Sequence, residues 1–108
     1  MKKIINHKLY DTETAEAVAS KFSDNPMDDT IEVLYRKKTT LEFFKLYRRT
    51  YLPNKYYDPE KYKKINCYIL QRNNAEFIIT LTLEQAQQWV SENCSFEEYE
   101  KIFGKVEE

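Results

Sequence analysis

Glycine and histidine are almost absent from this chain of 108 residues, which contains one of each, Gly104 and His7. A single glycine excludes a phosphate-binding glycine-rich loop, a dinucleotide fingerprint and a nucleophile elbow, because each of these motifs needs more than one. The two cysteines, Cys67 and Cys94, do not form a C-x-x-C pair. Since a structural zinc ion normally has four Cys or His ligands, the sequence predicts no metal site and no cofactor.

Long apolar runs are also missing. No run approaches the ~20 residues of a membrane span, and the N-terminus has two lysines without the apolar stretch of a signal peptide. Hydrophobic residues nevertheless make up 42% of the chain, enough to build a core. We therefore expect one domain over residues 1–108, in the cytoplasm and with no membrane partner.

Charged residues are abundant and nearly balanced, with a net charge of −1. Their distribution is uneven: residues 1–35 carry −3, residues 36–72 carry +8 and residues 73–108 carry −6. Such asymmetry concerns binding partners and not fold. The acidic C-terminal segment fits either a mimic of nucleic acid or a surface that packs near the chain's own basic segment.

Hydrophobic periodicity predicts an α+β fold, with a four-stranded antiparallel meander sheet, an N-terminal helix and two C-terminal helices packed on one side. We expect residues 2–10 to form one extended edge segment. The N-terminal helix would begin at a cap, Asp11 or Thr12, and run to about Phe22. The apolar positions that repeat at helical spacing there are Ala15, Val18, Ala19 and Phe22.

The four strands are expected near residues 30–36, 42–49, 65–71 and 76–81, with an irregular loop over 52–64 and a turn over 72–75. Thr82 and Gln85 fit a capping box at the start of the first C-terminal helix. Ser95 repeats this signal for the last helix, and Gly104 fits its C-terminal end.

No group of residues predicts an active site. Acid–base or nucleophilic catalysis needs at least two positioned groups, whereas His7 is alone and Asp28-Asp29 fits a turn. Glu97 and Glu98 fit the first turn of a helix, where the dipole favours anions. We expect a protein that is not an enzyme and has no small-molecule substrate, with a metal-dependent nuclease built from scattered carboxylates as the weaker alternative.

The basic segment is also rich in tyrosine, since seven of the nine tyrosines lie between Tyr35 and Tyr68. Basic side chains neutralise phosphates and tyrosines stack on bases for about 1–3 kcal/mol each. The same composition suits a protein interface, or a sheet core with a solvated rim. One face of the second strand is expected to form an outward stacking platform of Phe43, Lys45, Tyr47 and Arg49. The candidate binding residues are Arg36, Lys37, Lys38, Lys45, Tyr47, Arg48, Arg49, Tyr51, Lys55, Lys61, Lys63 and Lys64.

Three stretches together resemble a known family. They are Tyr10-Asp11-Thr12-Glu13-Thr14-Ala15, then Leu34-Tyr35-Arg36-Lys37-Lys38-Thr39 running into Glu42-Phe43-Phe44, and Leu81-Thr82 through Trp89 closing with Tyr99-Glu100-Lys101-Ile102-Phe103-Gly104. This order resembles small proteins carried on phages and conjugative elements of Gram-positive bacteria. The resemblance covers most of the chain except about residues 48–66. Since some of the family's members are expected to be type II-A anti-CRISPR proteins, the resemblance implies an inhibitor of Cas9.

The chain departs from this family in two places. Members tend to have a glycine in the hairpin turn and a glycine-rich segment after the second strand, where this chain has Thr40-Leu41 and Lys45-Leu46-Tyr47-Arg48-Arg49. Both departures lie within the basic segment, so the resemblance does not indicate what that segment does. The family also has no established catalytic residues that could be assigned to this chain.

Three functions follow as hypotheses. The first is a non-enzymatic inhibitor that binds Cas9, its guide RNA or both, and interferes with guide-RNA loading. The second is a general nucleic-acid-binding accessory protein of a phage or conjugative element. The third is a small ribonuclease or an inducer of guide-RNA cleavage.

Overall fold

Alternating apolar residues build two antiparallel sheets, followed by two helices. The computed structural model describes residues 1–24, 28–51 and 75–107. The strands are β1 (Lys2–Ile5), β2 (Lys8–Asp11), β3 (Glu16–Asp24), β4 (Asp28–Arg36), β5 (Phe43–Tyr51) and β6 (Ala75–Leu81), and the helices are α1 (Leu83–Asn93) and α2 (Phe96–Phe103). β1 pairs with β2, and the larger sheet has the order β3-β4-β5-β6. The predicted α+β class, a four-stranded antiparallel sheet and two C-terminal helices are confirmed. The strands of this sheet differ from those predicted, because it contains β3, and the strand expected at 65–71 lies outside the described residues.

The predicted N-terminal helix is wrong, because the segment forms strand β3. A β-bulge between Ala17 and Ala19 inserts one extra residue opposite β4, so Val18 and Ala19 both pack against the cluster beneath the helices. Ala15 packs against a different cluster, and Phe22 is 62% exposed. These apolar residues therefore do not share one buried stripe, and the bulge is what brings Val18 and Ala19 to the same face.

The N-cap signal at Asp11 is used for a single turn. The Asp11 side chain accepts a hydrogen bond from the Glu13 amide at 2.9 Å, and the Asp11 carbonyl accepts one from the Ala15 amide at 3.1 Å. The chain then enters β3 at Glu16. Side-chain capping thus forms a turn here without a following helix.

Residues 2–10 form a hairpin and not the single extended segment expected from the sequence. β1 and β2 pair in register from Lys2 opposite Asp11 to Ile5 opposite Lys8. The two residues between them, Asn6 and His7, have positive φ angles of 52° and 64°. A two-residue turn with both angles positive matches the right-handed twist of the strands, which explains this tight connection.

The larger sheet buries one cluster on each face. Phe44, Leu46 and Ile78 point to the face covered by the β1–β2 hairpin, where Tyr10 joins them; we call this the hairpin side. Leu34 and Phe43 point to the opposite face and pack against Ala86 and Val90 of α1; we call this the helix side. The alternation along β4 and β5 thus divides the apolar residues between two small cores.

The turn between β4 and β5 has a backbone conformation that glycine favours. The Lys37 amide donates to the Glu42 carbonyl at 2.8 Å, and the Leu41 amide donates to the Lys37 carbonyl at 3.0 Å. Leu41 has a φ of 59° and a side chain that is 61% exposed. The turn therefore keeps a left-handed position although the chain has leucine there.

The caps predicted for the two helices are confirmed. The Thr82 hydroxyl accepts from the Gln85 amide at 3.1 Å, and the Gln85 side chain accepts from the Thr82 amide at 2.9 Å. Ser95 caps α2 by accepting from the Glu98 amide at 3.2 Å. Gly104 ends α2 with a φ of 92°.

Several predicted elements lie outside the described residues: the loop at 52–64, the strand at 65–71 and most of the turn at 72–75. β6 pairs directly with β5, from Phe43 opposite Leu81 to Arg49 opposite Ala75. Within the described ranges no helix combines the length and the apolar character needed to cross a bilayer.

Candidate functional site

The basic residues of the central segment do not form one surface. Arg36 ends β4, where it lies 3.3 Å from Glu16 of β3 and donates to the Ile102 carbonyl of α2 at 3.1 Å. Lys37 lies in the following turn, 3.7 Å from Glu42, and its ammonium is 4.0 Å above the Tyr10 ring. These two cations therefore join the sheet to α2 and to the hairpin.

Lys45 and Arg48 point to opposite sides of the sheet. Lys45 is on the helix side, with its ammonium 2.8 Å from Glu32 of β4 and 5.9 Å from the Trp89 ring centre. Arg48 is on the hairpin side and lies 2.7 Å from Glu76, its direct neighbour on β6. Each cation is neutralised by a glutamate that lies outside the basic segment in the sequence.

The remaining candidates divide into four groups. Lys38 is exposed, and among the described residues it has no ion-pair partner. Arg49 is half-buried on the helix side of β5 and is already engaged in an interaction. Tyr51 ends β5, with its backbone opposite Asp28. The candidates outside the described residues are Lys55, Lys61, Lys63 and Lys64.

The expected stacking platform is wrong at Phe43. This side chain is only 7% exposed and packs against the Phe103 ring at 5.4 Å between centres. The reason is that the helices cover the Phe43 end of the helix side, so the open part of that face begins beyond Lys45. A strand face is accessible only where no second layer covers it.

Three neighbouring apolar side chains lie on the helix side at and beyond the level of Lys45. Tyr47 of β5 is stacked on Phe77 of β6, with ring centres 4.9 Å apart and planes inclined by 29°. Phe77 is 40% exposed, and Ile79 on the same strand is 36% exposed. We call Tyr47, Phe77 and Ile79 the aromatic surface.

Sequence reasoning found Tyr47 but missed Phe77 and Ile79. Both lie in a strand that was predicted, and both alternate onto one of its faces. Their association with Tyr47 depends on the register that places Tyr47 opposite Phe77. Periodicity within one strand cannot supply this register, because it depends on which strands pair.

The acidic helices form a second distinctive region. α1 and α2 carry five glutamates, and within residues 75–107 none of these five forms an ion pair. A groove of about 530 Å³ lies between the helices and contains Glu84, Phe96, Tyr99 and Val106 in its wall. Phe96 is 61% exposed and Val106 is 48% exposed.

Cys94 joins the two helices and lies in the same groove. Partial burial, and next the negative charge of Glu98, raise the pKa of the Cys94 thiol. The thiol therefore stays protonated at neutral pH and adds an uncharged group to the wall of the groove. In the parts of the chain that the structure describes, no group of His, Cys, Asp and Glu is arranged to hold a metal ion.

No protein-family model, curated protein or solved structure matches this chain. The resemblance to proteins of mobile elements therefore stays a prediction, and the candidate surfaces are judged by their own geometry.

Proposed function

We propose that the protein is a non-enzymatic inhibitor of a CRISPR–Cas9 effector, encoded by a mobile element, that binds Cas9 through the aromatic surface. The effector is suggested by the family resemblance of the three stretches. The observation that supports a binding function is the stacked pair of Tyr47 and Phe77, left open at the end of the sheet that the helices do not cover.

The charges beside the aromatic surface favour a protein partner over a nucleic acid. On the helix side, Lys45 is held by Glu32 at 2.8 Å. Arg49, the other basic residue of β5 on that side, is already engaged in an interaction. A phosphate at the aromatic surface would have to compete with these existing interactions of Lys45 and Arg49, which reduces the gain from binding. Tyrosine and phenylalanine are enriched at protein interfaces, where such paired charges form the rim.

Binding to Cas9 in this way would interfere with guide-RNA loading. Cas9 holds its guide duplex in a positively charged channel that must be accessible before the complex forms. A 108-residue protein bound near that channel blocks access by its bulk, without needing to bind the RNA itself. The order in which protein and RNA meet Cas9 should therefore decide the extent of inhibition.

The test measures target-DNA cleavage by a purified type II-A Cas9, with the protein added before or after the guide RNA. We expect inhibition that is stronger when the protein is added first. Phe77→Ser should raise the half-inhibitory concentration by about tenfold or more, since it removes a central aromatic contact. Phe22→Ser is the matched control, because Phe22 is 62% exposed and lies on another strand. Wild-type protein that does not inhibit, or equal loss in both variants, would contradict the proposal.

A nucleic-acid-binding accessory protein is the second candidate, supported by the same aromatic pair, because such rings also stack on unpaired bases. Binding to a labelled single-stranded oligonucleotide without Cas9 separates the two. Affinity that falls steeply and linearly with salt on logarithmic axes favours this candidate. Guide RNA incubated with the protein and Mg²⁺, with and without Cas9, tests the ribonuclease alternative by the appearance of shortened RNA.

A further inference from the structure

The groove between α1 and α2 combines apolar walls with negative charge. Phe96, Tyr99 and Val106 supply apolar area, and Glu84 supplies a carboxylate in the wall itself. The volume of about 530 Å³ is within the range of binding pockets. An exposed phenylalanine beside a groove of this size is the kind of patch that marks an interaction site.

Further carboxylates border the groove through residues of its wall. Glu98 is hydrogen-bonded to Ser95 at 3.3 Å, and Glu92 accepts a hydrogen bond from Gln88; both Ser95 and Gln88 belong to the wall. Among the described residues the wall contains no lysine or arginine, and Lys105, the neighbour of Val106, is the nearest basic residue in the sequence. The groove therefore has an excess of negative charge.

We infer that this groove binds a short basic segment of a partner protein, in which a large apolar side chain is flanked by lysine or arginine. The apolar side chain would occupy the space beside Phe96 and Val106. The flanking cations would meet Glu84 and Glu98, while their aliphatic stems lie along the apolar wall. Charge complementarity selects this occupant, because an acidic or neutral segment would leave the carboxylates unpaired.

This inference does not depend on the proposed function. The groove is formed by the helices, whereas the aromatic surface is formed by β5 and β6. A negative result in the Cas9 inhibition test would not contradict peptide binding by the groove, and a negative result in the peptide test would not contradict the proposed function.

The test uses fluorescence anisotropy with labelled synthetic peptides of twelve residues. One peptide has leucine and lysine at helical spacing, the second replaces lysine with glutamate, and the third replaces leucine with serine. We expect the leucine–lysine peptide to bind the full-length protein at least about tenfold more tightly than either of the others. Equal affinity for the lysine and glutamate peptides, or no binding by any of them, would overturn the inference.

Protein variants locate the binding site. Phe96→Ser should weaken binding of the leucine–lysine peptide by about tenfold, and Val106→Ser should weaken it by a smaller factor. Phe22→Ser is again the control and should leave the affinity unchanged, since Phe22 lies in β3. Val106 follows the end of α2, so its variant remains informative if Phe96→Ser perturbs the helix.

Raised salt provides a second readout. The affinity should fall as salt rises, and Glu84→Gln should reduce that dependence. A groove filled by a second copy of the chain would instead appear as a dimer in sedimentation, which contradicts the inference. Peptide binding that is unchanged in Phe96→Ser and in Val106→Ser would contradict it as well.

Discussion

On the sheet, Arg36, Lys45 and Arg48 each lie within 3.3 Å of a glutamate on a neighbouring strand. On α1 and α2, five glutamates form no ion pair within the described residues. The difference follows from geometry, because strand pairing joins segments that are far apart in sequence, whereas a helix mainly brings together residues three and four apart. The segment richest in positive charge is therefore largely neutralised where it is described, whereas the five glutamates of the two helices form no ion pair within the described residues.

The comparison also separates two kinds of surface. The sheet offers an aromatic surface with paired charges at its sides, and the helices offer an apolar groove with unpaired carboxylates. A binding partner would recognise the first by shape and apolar contact and the second by charge as well.

The largest effect is expected on the free energy of unfolding, when the side chain of Phe44 is removed from the core of the sheet. Phe44 is fully buried, with its ring centre 5.4 Å from that of Tyr10 and 5.2 Å from that of Tyr35. Phe44→Ala should lower the free energy of unfolding by about 3–5 kcal/mol, because it leaves a cavity. Urea denaturation followed by circular dichroism measures this. Phe22→Ala removes the same atoms from an exposed site and should change stability by less than about 0.5 kcal/mol; equal losses would show that Phe44 does not anchor the core.

Two double-mutant cycles sharpen the comparison directly. The cycle of Lys45→Met and Glu32→Gln should give a coupling of about 1 kcal/mol, since this pair is partly buried and 2.8 Å apart. The cycle of Glu97→Gln and Lys101→Met on α2 should give less than about 0.5 kcal/mol, because the two are one turn apart but form no ion pair in the described structure. Equal coupling energies would remove the distinction between sheet and helices.

The smallest effect is expected on the stability of the protein at acidic pH, when Glu42 is replaced. A hydrogen bond from Lys8 at 3.2 Å, together with the positive charge of Lys37, lowers the pKa of the Glu42 carboxyl from its ordinary value of 4.5. A lowered pKa in the folded state stabilises the protein above the unfolded pKa, and this stabilisation is lost as the pH falls through the folded pKa. The loss of stability below pH ~4.5 should therefore be shallower in Glu42→Gln than in the wild type.

The helical control for that experiment is Glu92→Gln. Glu92 lies in the last turn of α1, where the helix dipole disfavours negative charge. Its replacement should leave stability at neutral pH unchanged or slightly higher, whereas Glu42→Gln should lower it. Thermal denaturation at several pH values measures both. A parallel shift of the two variants would contradict the assignment of the Glu42 pKa to its lysine neighbours.

Local signals were predicted correctly, since they depend on residues close in sequence. Thr82 and Gln85 are three residues apart, and their capping box is confirmed. The strands β4, β5 and β6 follow from alternation within single segments. Strand β3 was missed because its bulge places Val18 and Ala19 on one face, which imitates a helical period.

The candidate surfaces could be predicted only in part. Tyr47 was found from composition, but its stacking on Phe77 depends on the pairing of β5 with β6. The neutralisation of Arg48 by Glu76 depends on the same register. The net charge of a segment can be read from the sequence, but the ion pairs between strands depend on which strands pair and in which register.

The bulge in β3 has a consequence for aggregation. β3 is an edge of the described sheet, and an edge strand exposes backbone groups on which further chains can assemble into an extended β-structure. The extra residue between Ala17 and Ala19 interrupts the regular spacing that such assembly needs. Lys21, exposed on the same strand, would lose hydration if another strand were added beside it. The irregularity that obscured this strand in the sequence thus works against regular pairing of a further chain with this end of β3.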